Sequence, residues 1–150
     1  MTAASWLAVN NPRVDPANST EWSKEMDQVV AAGNLIARSN VFDVPFTNGE
    51  HLECLIAISR EERIRGLANI ASLEVDGMLF VYQVPSYAPF SVKDMLFDLD
   101  IAFYDVQGIL MKSTTASAGS LDPIYSPRAY SYVLETPAGT LPQSNLQIRI

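Results

Sequence analysis

The feature that most constrains this chain is Asn48-Gly49, set between two apolar runs. Val41 to Phe46 lies before it and His51 to Ile58 after it. Both turn residues tolerate positive φ, so Asn-Gly between apolar segments predicts a tight hairpin of two antiparallel strands. Pro45 has no N–H to give to a ladder, which assigns the first strand to a sheet edge. Downstream, Phe97, Leu99, Ile101 and Phe103 alternate with Asp98, Asp100, Ala102 and Tyr104. That period of two is the pattern of a strand. Met78 to Tyr82, Ile109 to Met111, Tyr130 to Leu134 and Leu146 to Ile150 supply further short strands, while residues 113–129 read as an irregular crossing.

One helix interrupts this series. Ser59 followed by Glu62 is a capping box, and the helix it opens would turn Ile64, Leu67, Ala68 and Ala71 inward. Gly66 within it costs about 1 kcal/mol relative to Ala, which predicts close approach to a strand. Roughly six to eight strands with one internal helix give a mainly β fold, a jelly-roll-like sandwich or barrel, and not a parallel α/β sheet.

Residues 1–38 follow a different grammar. Up to about residue 18 they are rich in Asn, Pro and Ala, with Pro12 and Pro16 discouraging regular structure. Asn18 and Glu21 then form a looser capping box, and Trp22, Met26, Val29, Val30 and Gly33 recur at spacings of three and four. The expectation is an arm carrying a short amphipathic helix that ends near Gly33, followed by a β domain over 39–150. A helical stripe outside a self-sufficient domain must be covered, so Trp6, Trp22, Met26, Val29 and Val30 are candidate anchors for a protein partner or a second copy. The alternative is that the helix packs on its own domain.

Composition removes several functions. The chain has 150 residues, 48% hydrophobic and 18% charged, with a net charge of −7. Such a balance supports a folded core, and the acidic excess repels phosphate backbones, so no nucleic-acid partner is expected. The N-terminus lacks the basic and apolar regions of a secretory signal, and no run is long enough for a membrane span. Synthesis and residence in the cytoplasm is the expectation. A single cysteine, Cys54, allows neither an internal disulfide nor a thiolate metal site, and in its apolar run it reads as a small buried side chain rather than a nucleophile. His51, beside the turn, reads as solvated.

Asp98 and Asp100, about 7 Å apart on one strand face, could hold a hard cation or act as an acid and base pair. No third ligand stands at a recognisable spacing. A structural ion pair between Lys93 and Asp100 is the plainer arrangement. No Gly-rich phosphate loop, zinc spacing or nucleophile elbow is present, so neither an enzyme nor a cofactor is expected.

The segments Arg60 to Leu67, Asp76 to Val81, Lys93-Asp94, Asp98 to Phe103 and Tyr132 to Thr140 together resemble domain-of-unknown-function family 192, over about residues 41–141. The resemblance implies a mainly β, jelly-roll-like domain with one short helix and no settled activity. Where relatives typically read Phe-Trp-Met-Lys-Asn-Thr, this chain has Ser91 for Trp, Val92 for Met, Asp94 for Asn and Met95 for Thr. Further on, Asp98 stands for Pro, while Lys93, Leu99, Asp100 and Ile101 are kept. A Cys-containing loop common in relatives corresponds here to Ala118–Pro123, without cysteine. A family pocket on that cluster would thus have lost an aromatic wall and two hydrogen-bonding side chains. The resulting expectation is a non-enzymatic interaction protein, attached to a larger assembly through its arm, with a virion decoration or cement protein as the most concrete form. The alternative is a small-ligand-binding or accessory protein with a pocket near Tyr87, Lys93, Asp94 and Asp100.

Overall fold

The structure is a computed structural model that describes residues 41–141 and 147–148. The arm, with Trp6, Trp22, Met26, Val29 and Val30, and the boundary near residue 38 lie outside the described residues. The described part is mainly β. Strands β1 (Phe42–Pro45) and β2 (His51–Ala57) precede helix α1 (Arg60–Arg65), and β3 (Gly77–Ser86), β4 (Leu99–Tyr104), β5 (Leu110–Ala116) and β6 (Tyr130–Pro137) follow.

The strands form one sheet in the order β1-β2-β3-β6-β4-β5. The Asn48-Gly49 hairpin is present: β1 pairs antiparallel with β2, and Gly49 has φ +91°. Pro45 lies on the edge strand, as its missing donor requires. β2 and β3 are parallel, because the chain between them crosses over through α1 instead of turning in a hairpin. The remaining ladders, β3 with β6, β6 with β4 and β4 with β5, are antiparallel. The order is therefore open, and the sandwich or barrel expected from the strand count is instead a single mixed sheet. Gln147 and Ile148 connect its two ends without closing it: Thr47 N–H donates to Gln147 O at 2.9 Å and Ile148 N–H to Gly108 O at 2.9 Å.

Two strands extend beyond their apolar stretches. β3 runs through Pro85 to Ser86, and β5 through the polar Ser113–Thr115. Ladder bonds to a neighbour sustain a strand even where side chains provide little burial.

The pleat sends alternate residues to two apolar clusters. One face gathers Phe42, Val44, Cys54, Ile56, Leu79, Ala102, Tyr104 and Leu134, and the other gathers Leu55, Met78, Phe80, Leu99, Ile101, Phe103, Tyr130 and Val133. β4 is buried at every position, so both of its faces lie in the core, where the alternation had indicated one. Ionisation of the Cys54 thiol is strongly disfavoured, first by burial and then by the neighbouring Asp76, Asp43 and Glu53, as befits an inert packing residue. His51 is exposed beside the turn.

The capping box forms as read. Glu62 N–H donates to Ser59 Oγ at 3.1 Å, while a Glu62 carboxyl oxygen accepts from Ser59 N–H at 2.7 Å and Ile58 N–H at 3.1 Å. The helix is shorter than its apolar spacing implied. Gly66, at φ +48°, ends it after six residues, so Leu67 reaches the core whereas Ile64 is 71% exposed. The close approach expected at Gly66 is real, since an added Cβ would lie 3.3 Å from Cζ of Phe80 on β3.

Candidate functional site

Three consequences of this chain path open a cleft on the β4 face that carries Leu99, Ile101 and Phe103. The stop at Gly66 leaves the end of α1 standing over β3. Arg63 fixes that position by donating from its guanidinium to the Ile58 carbonyl and stacking 4.5 Å from the centre of the Tyr82 ring. The segment after β3 forms the opposite wall. It is clamped by paired backbone bonds between Phe90 and Ile124, at 2.8 and 2.9 Å, and by the Tyr130 hydroxyl, which donates to Ala88 O at 2.7 Å. Asn69 N–H donates to Asp94 O at 2.9 Å and joins the two walls at one end.

The cleft has a volume of about 580 Å³, within the roughly 300–1,000 Å³ usual for small-molecule sites. Leu67, Phe80, Phe90 and Met95 form its apolar lining. Phe80 and Phe90 meet edge to face at 5.1 Å, and Tyr82 and Tyr130 do the same at 4.9 Å, so the aromatic floor is locked. Arg60, Arg63, Arg65 and Lys93 border the cleft, bringing four of the chain's ten Lys and Arg together, against the two acids Asp94 and Glu135. Glu135 is buried at the base. Loss of water raises its carboxyl from 4.5 to about 8. Burial likewise raises the Tyr82 hydroxyl, with further contributions from Tyr130 and Glu135.

The pocket expected near Tyr87, Lys93, Asp94 and Asp100 is brought together only in part. Lys93 and Asp94 line the cleft. Tyr87 is 76% exposed and does not line the cleft, though its neighbours Ser86 and Ala88 contribute to the wall. Asp100 is on the opposite face of β4, because alternation along the strand separates it from Leu99 and Ile101. Its carboxylate accepts from Thr115 Oγ1 at 2.6 Å and Gly139 N–H at 2.9 Å, not from Lys93, which corrects the expected ion pair. Asp98 is occupied elsewhere, accepting from Ala118 N–H at 2.8 Å. Among the described residues no group of three or more His, Cys, Asp or Glu is placed to hold a metal ion.

Sequence reasoning missed Glu135 and the arginines of α1 as site residues. A usable signal existed for Glu135: it is two residues from Val133 and so shares that residue's inward face. The arginines gave no such signal, because their convergence with Lys93 depends on the crossover. The lost aromatic at Ser91 is partly offset by Phe80 and Tyr82 from β3, beside Phe90 of the same segment.

A family model for DUF192, described as Uncharacterized ACR, matches residues 44–149, and the chain belongs to that family. No curated protein matches it. Two solved structures share the fold. A protein of unknown function from Novosphingobium aromaticivorans DSM 12444 is 22% identical, with a TM-score of 0.65 over 73% of this chain and 85% of that one. A protein from Sinorhizobium meliloti 1021, provisionally described as a transcription regulator, is 23% identical, with a TM-score of 0.64 over 71% and 89% of the two chains. At these identities the likeness concerns the fold. Among the described residues no helix is long and apolar enough to cross a membrane.

Proposed function

We propose that this domain binds a small anionic molecule with an apolar body in the cleft between α1, β3 and the 88–95 segment. The observation that carries this reading is the gathering of four cations at one cleft of a chain whose net charge is −7. A rim with four cations against one exposed acid, Asp94, around a low-dielectric floor carries a net positive field that attracts the opposite charge. The aromatic floor supplies the apolar contact, and the reading requires no turnover.

Fluorescence titration with 1-anilinonaphthalene-8-sulfonate, an anionic aromatic probe, tests it. The Arg60→Glu, Lys93→Glu double variant reverses two exposed rim charges, each worth up to about 1 kcal/mol, so binding should weaken about tenfold or more. Lys112→Glu, outside the cleft, should leave it unchanged. Equal affinity in the wild type and the double variant would refute the proposal.

Attachment to an assembly through residues 1–38 is a second reading, carried by the Trp22, Met26, Val29 and Val30 stripe of the sequence. Deleting those residues should leave a folded domain that no longer associates. A truncated chain that unfolds, with an intact chain monomeric at all concentrations, would exclude it.

A further inference from the structure

Glu135 is treated differently from the other buried acids. Asp100 is held by Thr115 and Gly139, and Glu62 by the capping box. Glu135 is only 3% exposed and lines the cleft, yet among the described residues no hydrogen bond holds its carboxyl. Its oxygens are not sealed off but open onto the cleft, where a ligand can supply the partner. Burial alone raises the Glu135 carboxyl, with no cation offsetting it; Arg63 is committed to the Tyr82 ring and the Ile58 carbonyl, while Arg60 and Lys93 are exposed at the rim.

Resting on the anion-binding reading of the cleft, we propose that Glu135 is its specificity-determining residue, donating a hydrogen bond from its carboxyl to an acceptor on the ligand. The ligand class is an aryl carboxylate bearing a neutral carbonyl away from its acid group. The acid group meets the rim of Arg60 and Lys93, the ring lies against Phe80 and Phe90, and the carbonyl reaches the base. A second negative charge at that end is disfavoured, since it would stand against the carboxyl of Glu135 in a buried place.

The raised carboxyl, at about 8, supports this protonation state at neutral pH. The groups sharing the cleft with it are Tyr82 from β3, Arg60, Arg63 and Arg65 from α1, and Lys93 and Asp94 from the facing segment. Tyr130 stands on its own strand, and its register partners Met78 and Ile101 are apolar. Above pH 8 Glu135 ionises, loses its donor and repels the ligand's acid group.

The test is displacement of 1-anilinonaphthalene-8-sulfonate by 4-acetylbenzoate and 4-ethylbenzoate, which differ in the carbonyl. The wild type should prefer the acetyl compound by about fivefold, the worth of one hydrogen bond. Its affinity for that compound should fall about tenfold between pH 7 and pH 9, as expected when the protonated form of Glu135 binds. Glu135→Gln should retain the preference and lose the fall, and Glu135→Leu should lose the preference. No preference in the wild type, a preference that survives in Glu135→Leu, or the same pH dependence in Glu135→Gln would overturn the inference. If the dye remains sensitive to Arg60 and Lys93 in those cases, the anion-binding reading stands without it. Failure of dye and both benzoates to bind at all would overturn both.

Discussion

Replacing Glu135 by Gln should change how stability depends on pH, whether or not a ligand exists. In the folded protein the Glu135 carboxyl is raised from 4.5 to about 8 by burial alone. An acid whose folded value exceeds its unfolded value binds its proton more tightly in the native state, so native stability declines as pH rises between the two values. The penalty is absent below about pH 4.5, grows through neutrality, and is complete above about pH 8. At about 1.4 kcal/mol per pH unit it amounts to about 3 kcal/mol at pH 7 and about 5 kcal/mol above pH 8. That is a large part of the 5–15 kcal/mol typical of a whole domain, roughly speaking. Gln is neutral throughout and nearly isosteric, so its own burial cost is constant and cancels from a comparison across pH. Urea unfolding of both proteins at pH 5.5, 7 and 9 gives the difference directly. The variant should gain about 2 kcal/mol relative to the wild type from pH 5.5 to 7 and about 1 to 2 kcal/mol more from pH 7 to 9, a smaller gain per pH unit because the penalty is complete soon after pH 8. Parallel stability curves for the two proteins would refute the reasoning, because they would mean that Glu135 is solvated or paired in the native state.

Three further outcomes are expected. Gly77→Ala should cost about 2 kcal/mol or more in urea unfolding, since the new Cβ would lie 2.2 Å from the backbone oxygen of Glu135 and one strand must move. Ser59→Ala should lose about 1 kcal/mol by removing the acceptor for the Glu62 N–H, read as a lower thermal midpoint. Asp100→Ala should lose about 2 kcal/mol and speed hydrogen exchange at Gly139, whereas Lys93→Ala should leave both nearly unchanged; equal losses would restore the ion pair.

Much of the local structure was legible because its causes are local. Asn48-Gly49 specifies a hairpin through the positive φ of Gly49 and the Asn48 side chain, which accepts from Glu50 N–H, Pro45 an edge through its missing donor, and Ser59 with Glu62 a helix start through reciprocal hydrogen bonds. Periodicity likewise located β4 and the core of β6. Errors arose where a local pattern was extended past its cause. The spacing of Ile64, Leu67, Ala68 and Ala71 suited a longer helix, but Gly66 stops it, and Leu67 reaches the core from the turn that follows.

The candidate site was harder to see because its parts meet only through long-range pairing. Lys93 and Asp94 both line the cleft, but Asp100 was grouped with them by nearness in sequence, and the pleat of β4 puts it on the other face. Glu135 comes from β6, inserted between β3 and β4, and no sequence spacing announces that neighbour. The sequence by itself thus determined the type of most elements and the turn that joins β1 to β2, encoded in contiguous residues, and the family membership, encoded in several separate segments read together. Only the tertiary structure decided the parallel crossover, the open order of the sheet and the convergence of arginines, aromatics and one buried acid on a single cleft. Those depend on which strands pair, a choice governed by burial across the whole domain and not by any single segment.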